Sequence, residues 1–214
     1  MGEMFRTIVA DPPWTYDDDD PFVGGSWGRL TRNDAASGKY PLLTLADIKT
    51  LPVARFAQDD AYLWLWMPSQ HFRRGLHLEV LAAWGFDLKA ERVWVKEESG
   101  VGFWFVYNHE YLILATRGSP GPLEKRGLPS GVRQGRTGPH TTKPERFYRD
   151  IEDACAGPYL ELFARHPRPY QLDMTRPNHE WTVWGNEVGD PLGIGFDPTE
   201  WQKSAPLTST ADQT

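Results

Sequence analysis

Residues 5–10 (FRTIVA) form a short, β-branched apolar run that stops at Asp11-Pro12-Pro13-Trp14, so they read as a buried strand with an acid at its carboxyl end. Thr44 is placed to cap a short helix ending before Pro52, and residues 61–66 (AYLWLW) read as a second buried strand. With Ser69 as cap, Phe72, Leu76, Val80 and Trp84 recur every four residues, Leu81 lies beside them and Gly85 is the stop. That is the pattern of an amphipathic helix lying on a sheet. Residues 86–96, 110–116 (EYLILAT), 159–163 (YLELF) and 181–184 are further strands, and Pro144 at a first helical position opens a helix over 145–155. Residues 15–43 and 117–142 carry no periodicity and read as loops, the first long enough to be functional or disordered. No internal repeat is present. Strands alternating with helices predict an α/β fold with a doubly wound, mainly parallel sheet, and such sheets bind ligands beyond the carboxyl ends of their strands, where Asp11 stands.

The 214 residues, 40% apolar and 24% charged, suit a single domain, expected over 1–188, with the Gly/Pro/Ser/Thr-rich stretch 189–214 expected to be a poorly ordered tail. No apolar run approaches the roughly 18 residues that span a bilayer, and the N-terminus lacks a signal peptide's pattern, so the expected address is cytoplasmic with no membrane partner. The single cysteine, Cys155, excludes an internal disulfide and any cysteine-cluster metal site. Net charge is −6, which argues against diffuse attraction to nucleic acid. Between Arg117 and Arg149, however, eight basic side chains face only Glu124 and Glu145. Ten tryptophans are also many for this length, and some can stack on a planar ligand although most large aromatics are core.

The Asp-Pro-Pro-Trp segment has two readings. It can be a strand-ending turn in which proline stops pairing and aspartate caps an N–H. It can also handle the exocyclic amine of adenine, a weak nucleophile because its lone pair is delocalised into the ring. Asp11 and the Pro12 carbonyl would each accept one N–H, the two prolines would hold those acceptors rigidly, and Trp14 would stack on the base. Such catalysis is mostly orientation and needs neither a side-chain nucleophile nor a metal when the electrophile is a sulfonium methyl, in keeping with a sequence that has no HExxH, CxxC or GxSxG pattern. The acidic run 17–20 reads as solvated, and the nearby glycines form no phosphate loop.

Further blocks follow this segment in order: Tyr40 with Leu43-Thr44, Leu63-Trp64-Leu65-Trp66, Val93-Trp94-Val95-Lys96, Asn108-His109-Glu110 running into Ala115-Thr116-Arg117-Gly118, Lys143-Pro144-Glu145, Glu161-Leu162-Phe163-Ala164-Arg165, and Trp184-Gly185-Asn186-Glu187. Together with residues 8–14 they resemble the DPPW-bearing adenosine- and adenine-N6 methyltransferases, a family that includes the catalytic subunit of the messenger-RNA methyltransferase and bacterial and phage relatives. The resemblance spans residues 7–188.

It implies a Rossmann-like methyltransferase fold with permuted motif order and S-adenosylmethionine as cofactor. By resemblance, Asp11, Pro12, Pro13 and Trp14 are catalytic. Lys143 meets the methionine carboxylate, a role that also suits a point charge beside a helix N-terminus, while a solvated surface lysine is the plainer alternative. Glu161, Arg165 and Asn186 lie near the nucleoside, Glu187 replaces a glutamine of the messenger-RNA enzyme, and His166 follows Arg165 directly where that enzyme has an intervening proline. Only ten residues precede Asp11, so another loop is expected to close the cofactor's adenine pocket. No zinc-finger or partner-binding extension is evident, so substrate affinity is expected from this domain, from homo-oligomerisation or from a partner subunit.

The leading expectation is adenine-N6 methylation of DNA, with the base flipped out at a cost of about a few kcal/mol. Tyr40, Trp66 and Trp104 are expected on the substrate side, with Phe103 and Phe105 for stacking and Arg126, Arg133 and Arg136 of the basic loop for phosphates. The alternative for these is an aromatic core edge followed by a solvated loop. RNA methylation is the runner-up, and a non-catalytic nucleic-acid-binding subunit of the same fold is a third reading, which intact Asp11-Pro12-Pro13-Trp14 opposes.

Overall fold

In the computed structural model, which describes residues 4–15, 42–97, 105, 107–134, 143–166, 180–185 and 188–193, the six apolar runs become strands and a seventh joins them. These are β1 (Phe5–Ala10), β2 (Ala57–Pro68), β3 (Asp87–Val95), β4 (His109–Arg117), β5 (Gly131–Arg133), β6 (Tyr159–Leu162) and β7 (Trp181–Trp184). They form one sheet in the order β5-β3-β4-β2-β1-β6-β7. β4 runs antiparallel to β2 and β3, and every other pair is parallel, so the sheet is mixed with one reversed strand. β1 is the point where strand order reverses, since β2 follows it on one side and β6 on the other. In open α/β sheets the ligand crevice lies outside the carboxyl ends at that point.

The helices are α1 (Leu45–Thr50), α2 (Ser69–Arg73), α3 (Leu76–Trp84) and α4 (Glu145–Ala154). Alternation along the strands sorts the core into two layers. Ile8, Ala10, Leu63, Leu65, Ile113 and Ala115 pack with Ile48 of α1 and Val80, Leu81 and Trp84 of α3. Val9, Trp64, Trp66, Trp94, Leu112 and Leu114 pack with Phe147, Tyr148 and Ile151 of α4. Helices therefore cover both faces, as a doubly wound sheet requires. Thr44 caps α1 as expected, in a reciprocal capping box with Asp47.

Five local expectations change. The helix expected from Ser69 to Gly85 is two helices, because the chain turns at Arg74-Gly75 and Gly75 adopts φ +74°, a left-handed conformation that glycine enters without a Cβ clash. Ser69 is the first helical residue rather than the cap, which is Pro68, and its hydroxyl donates instead to the His109 carbonyl. Pro144 likewise occupies the cap of α4, one residue ahead of the expected place. The stretch 117–142 is not all loop, since β5 within it pairs with β3. Residues 188–193 return to the domain, with Gly189 bridging to Gly185 and Leu192 packing on the core, while 194–214 lie outside the described residues.

Candidate active site

Period-two alternation carries the α4-side face past the carboxyl edge of the sheet. Asp11 lies two residues beyond Val9, Lys96 two beyond Trp94, and Glu110 two before Leu112 on the reversed strand, so a layer of large apolar side chains ends in a row of charges. Lys143 arrives from the segment just ahead of α4. Its Nζ lies 2.7 Å from Asp11 Oδ2 and 3.3 Å from Glu110 Oε2, and Lys96 Nζ closes on Glu110 Oε1. The floor is aromatic: the Lys143 ammonium sits 5.2 Å from the Trp66 ring centroid and that of Lys96 4.9 Å from Trp94. Trp66 meets both Trp94 and Phe147 edge-on.

Desolvation and pairing act differently on the members of this quartet. Burial pushes the Asp11 carboxyl above its ordinary range; Lys143 pulls it down and Glu110 pushes it further up, and the net direction is upward. Burial also pushes Glu110 up, yet the two ammoniums of Lys143 and Lys96 outweigh it and hold the carboxylate at about 2. For Lys143, burial favours loss of the proton, but Asp11 and Glu110 keep the ammonium charged well above its usual range. Asp11 is the open member, with 32% of its side chain exposed, and it is the carboxylate whose proton affinity is raised.

The Asp-Pro-Pro-Trp segment crosses the sheet edge, so its two ends face opposite layers. Trp14 is 5% exposed within the layer of α1 and α3, its indole N–H donates to the Trp66 carbonyl at 3.3 Å, and His71 meets it edge-on. This corrects the expectation that Trp14 stacks on a base: its ring is an anchor. Pro13's carbonyl accepts Leu43 N–H at 2.8 Å, and Pro12's accepts Trp14 N–H at 2.9 Å, which among the described residues leaves one lone pair of the Pro12 oxygen without a partner. Trp66 also departs from the substrate role expected of it. It is 0% exposed and supports Lys143 from below, with an indole N–H that has no partner among the described residues.

Of the residues expected at the cofactor, Glu161 lies within β6 beside Val9 and accepts the Tyr148 hydroxyl at 2.8 Å, which keeps a buried carboxylate satisfied. Arg165 follows β6 closely enough for its charge to act on Asp11, whereas His166 is exposed. Gly185 meets this turn so tightly that a Cβ would overlap the Ala164 carbonyl, and Ala164 N–H donates to Trp184. Asn186, Glu187, Tyr40, Trp104, Phe103, Arg136 and the acidic run 17–20 lie outside the described residues.

The basic stretch is less uniform than its composition suggests. Lys143 is buried between two acids, and Lys125 pairs with Asp153 and Asp150 on α4. Arg133 ends β5 opposite Val95, one residue from Lys96, so it is exposed at the carboxyl edge. Arg126 follows Lys125, which is tied to the later turns of α4, away from Lys143. Of the three arginines expected to act together, Arg126 and Arg133 therefore belong to different segments, and Arg136 lies outside the described residues. Phe105 is 75% exposed in the connection between β3 and β4, whose base is closed by Lys96 N–H donating to Asn108. Glu110 and Lys96 were not among the expected site residues, although both stand in the motif blocks; their signal is a charge two residues from an apolar partner at a strand end. Among the described residues no group of three His, Cys, Asp or Glu side chains is placed to hold a metal ion, and no helix is long and apolar enough to cross a membrane.

An open α/β sheet with an acid at its switch point and helices on both faces is the frame of a Rossmann-like methyltransferase. Residues 5–187 match the family model MT-A70, and the chain belongs to the MT-A70 family of N6-adenine methyltransferases, which use S-adenosylmethionine as methyl donor. It is 28% identical over 193 residues to the N(6)-adenosine-methyltransferase subunit METTL3 of Danio rerio and 27% identical over 198 residues to the Type II methyltransferase M.MunI of a Mycoplasma species. It is 27% identical over 209 residues to the N(6)-adenine-specific methyltransferase METTL4 of Homo sapiens. These matches cover 86%, 88% and 87% of this chain but 28%, 79% and 38% of the respective relatives.

Proposed function

We propose that this chain transfers the methyl group of S-adenosylmethionine to the exocyclic N6 amine of adenine in DNA. The observation that carries the reading is Asp11, a carboxylate one third open (32%) at the switch point of the sheet and paired on its inner side with Lys143. Bound cofactor supplies an electrophilic sulfonium methyl. The donor set suits it: the Lys143 ammonium has three N–H groups, two of which face Asp11 and Glu110, leaving one for the methionine carboxylate. Arg165 and Glu161, with Asn186 and Glu187, are the residues to hold the nucleoside.

Asp11 and the free lone pair of Pro12 then accept the two N–H groups of the target amine, which turns the nitrogen lone pair out of conjugation and towards the methyl group. Transfer of the methyl group from bound cofactor to this nitrogen would leave it with one proton to lose. The Asp11 carboxylate, with its raised proton affinity, receives it and passes it to water. Lys143 stays charged throughout and stabilises Asp11 as the anion before each turnover.

DNA is favoured over RNA by the extent of the match to the Type II methyltransferase, 79% of that relative against 28% of METTL3. Arg133 at the carboxyl edge contacts a phosphate and the exposed Phe105 a neighbouring base. Competition between duplex DNA and single-stranded RNA, each containing the same adenine context and present at equal ionic strength, tests this preference. Faster labelling of the duplex supports it, faster labelling of the RNA makes RNA the substrate, and binding without transfer to either makes the chain a non-catalytic subunit.

A further inference from the structure

Helix α2 is a single turn, yet it touches the segments carrying both carboxylates of the site. His71, 2% exposed, places Nε2 2.9 Å from the Thr15 carbonyl, and because a carbonyl only accepts, that nitrogen carries the proton. The same ring meets Trp14 edge-on at 5.5 Å, and Trp14 in turn holds the Trp66 carbonyl. Two residues earlier, Ser69 Oγ donates to the carbonyl of His109, the neighbour of Glu110 on one side. Phe72 stacks at 3.9 Å on Tyr111, the neighbour of Glu110 on the other. One turn of helix thus fastens the exit of Asp-Pro-Pro-Trp and both flanks of Glu110 from the α1 and α3 layer. On the opposite layer Asp11 and Glu110 share the Lys143 ammonium.

We propose that α2 is a positioning clamp for methyl transfer, with His71 and Ser69 setting the separation of Asp11 from Glu110. Neither residue meets substrate or cofactor. The proposal rests on the reaction proposed above for the consequence it has on rate, but not for the clamp itself. Orientation carries most of this reaction, and support residues of this kind typically alter activity by about 10–100-fold.

The test uses the full chain. His71→Leu keeps apolar bulk and removes the donor, His71→Gln restores an N–H at similar reach, and Val80→Ala, a fully buried change on α3, controls for loss of packing alone. In single turnover with saturating cofactor and duplex DNA, His71→Leu is expected to be about 10–100-fold slower with cofactor affinity little changed, His71→Gln to regain most of the rate, and Val80→Ala to lower Tm without that loss. Amide exchange gives a readout independent of transfer. Trp14, Thr15 and Leu43 N–H groups, hydrogen-bonded around the motif, should exchange about tenfold faster in His71→Leu while interior β4 amides do not change. Local exchange with an inactive wild type would refute the reaction and leave the clamp standing. A His71→Leu rate equal to that of Val80→Ala, or exchange that is unchanged or uniformly raised, would overturn the clamp. If His71→Leu does not fold, Ser69→Ala decides: a several-fold slower transfer is expected, and an unaltered rate overturns the proposal.

Discussion

Two buried ion networks lie on the same face of the sheet, one on each side of Phe147. Towards the carboxyl edge are Asp11, Lys143, Glu110 and Lys96 on their tryptophan floor. Deeper along α4, Arg92 pairs with Asp150 at 2.9 Å, donates to the Pro129 carbonyl at 3.0 Å and lies over the Phe147 ring, while Lys125 joins Asp150 and Asp153. Phe147 also meets Trp66, so a single ring separates them. Their composition is similar and their roles are not. In the Arg92 network the guanidinium meets one backbone carbonyl and the Asp150 carboxylate, and Lys125 meets Asp150 and Asp153 of the same helix, which together staple the 118–130 connection to α4. In the edge quartet each charge comes from a different segment, and Asp11 keeps an open side. Burying paired charge is therefore not what makes a site here; convergence at the carboxyl edge with one acceptor left open is.

The sharpest break between the two networks comes from their aspartates. Asp11→Ala should slow methyl transfer at least about a hundredfold with most cofactor affinity and Tm retained, since it removes an acceptor used in turnover. Asp150→Ala should do the reverse, costing about 3–5 kcal/mol in urea unfolding because it leaves Arg92 buried without its carboxylate, while the folded fraction turns over normally. Equal losses of rate in both variants would erase the distinction.

Acid titration gives the next largest contrast. Glu110, held at about 2 against an ordinary 4.5, contributes stability that is complete above about 4.5 and is lost as pH falls towards 2, so Glu110→Gln should flatten the acid limb of a stability-against-pH curve in that window. Asp11 has the opposite sign. Its raised proton affinity means that the folded state takes up the proton more readily than the unfolded chain, so Asp11 adds stability as pH falls and its removal should steepen the acid limb, while the acid limb of the transfer rate should fall above the ordinary carboxylate range.

Lys143→Ala should weaken S-adenosylmethionine binding in calorimetry, and the stabilisation by cofactor, about 2.7 kcal/mol at 100 times the wild-type dissociation constant, should shrink accordingly. The smallest effect separates the two arginines. Arg133→Ala should reduce the slope of log affinity against log salt for duplex by about 0.9, one phosphate contact, whereas Arg126→Ala should leave it unchanged. Equal slopes in both would return the grip to the whole basic stretch.

Much of this frame was legible in the sequence. Apolar runs announce six of the seven strands, Thr44 and Gly85 mark helix ends, and Asp11 at the end of the first run points to the crevice. β5 was not legible because three residues show no periodicity, and the break at Gly75 was hidden by four-residue spacing that continues across it. Glu110 escaped for a topological reason: the start of a strand meets the ends of its neighbours only if that strand is reversed, and nothing in the local pattern of β4 states its direction; Lys96, just past the carboxyl end of β3, gains its place in the site only through Glu110. Trp14 was assigned to the wrong side because two prolines stiffen a segment without saying towards which layer it turns.

The central claim is that Asp11 orients the N6 amine of adenine for a methyl group delivered beside Lys143. Its most direct test is nucleoside analysis after incubating wild type and Asp11→Ala with methyl-labelled S-adenosylmethionine and duplex DNA. The account predicts label in N6-methyl-2′-deoxyadenosine with wild type and at most a trace with Asp11→Ala despite retained cofactor binding. Label on cytosine or another adenine nitrogen, or undiminished N6 label from Asp11→Ala, would contradict it.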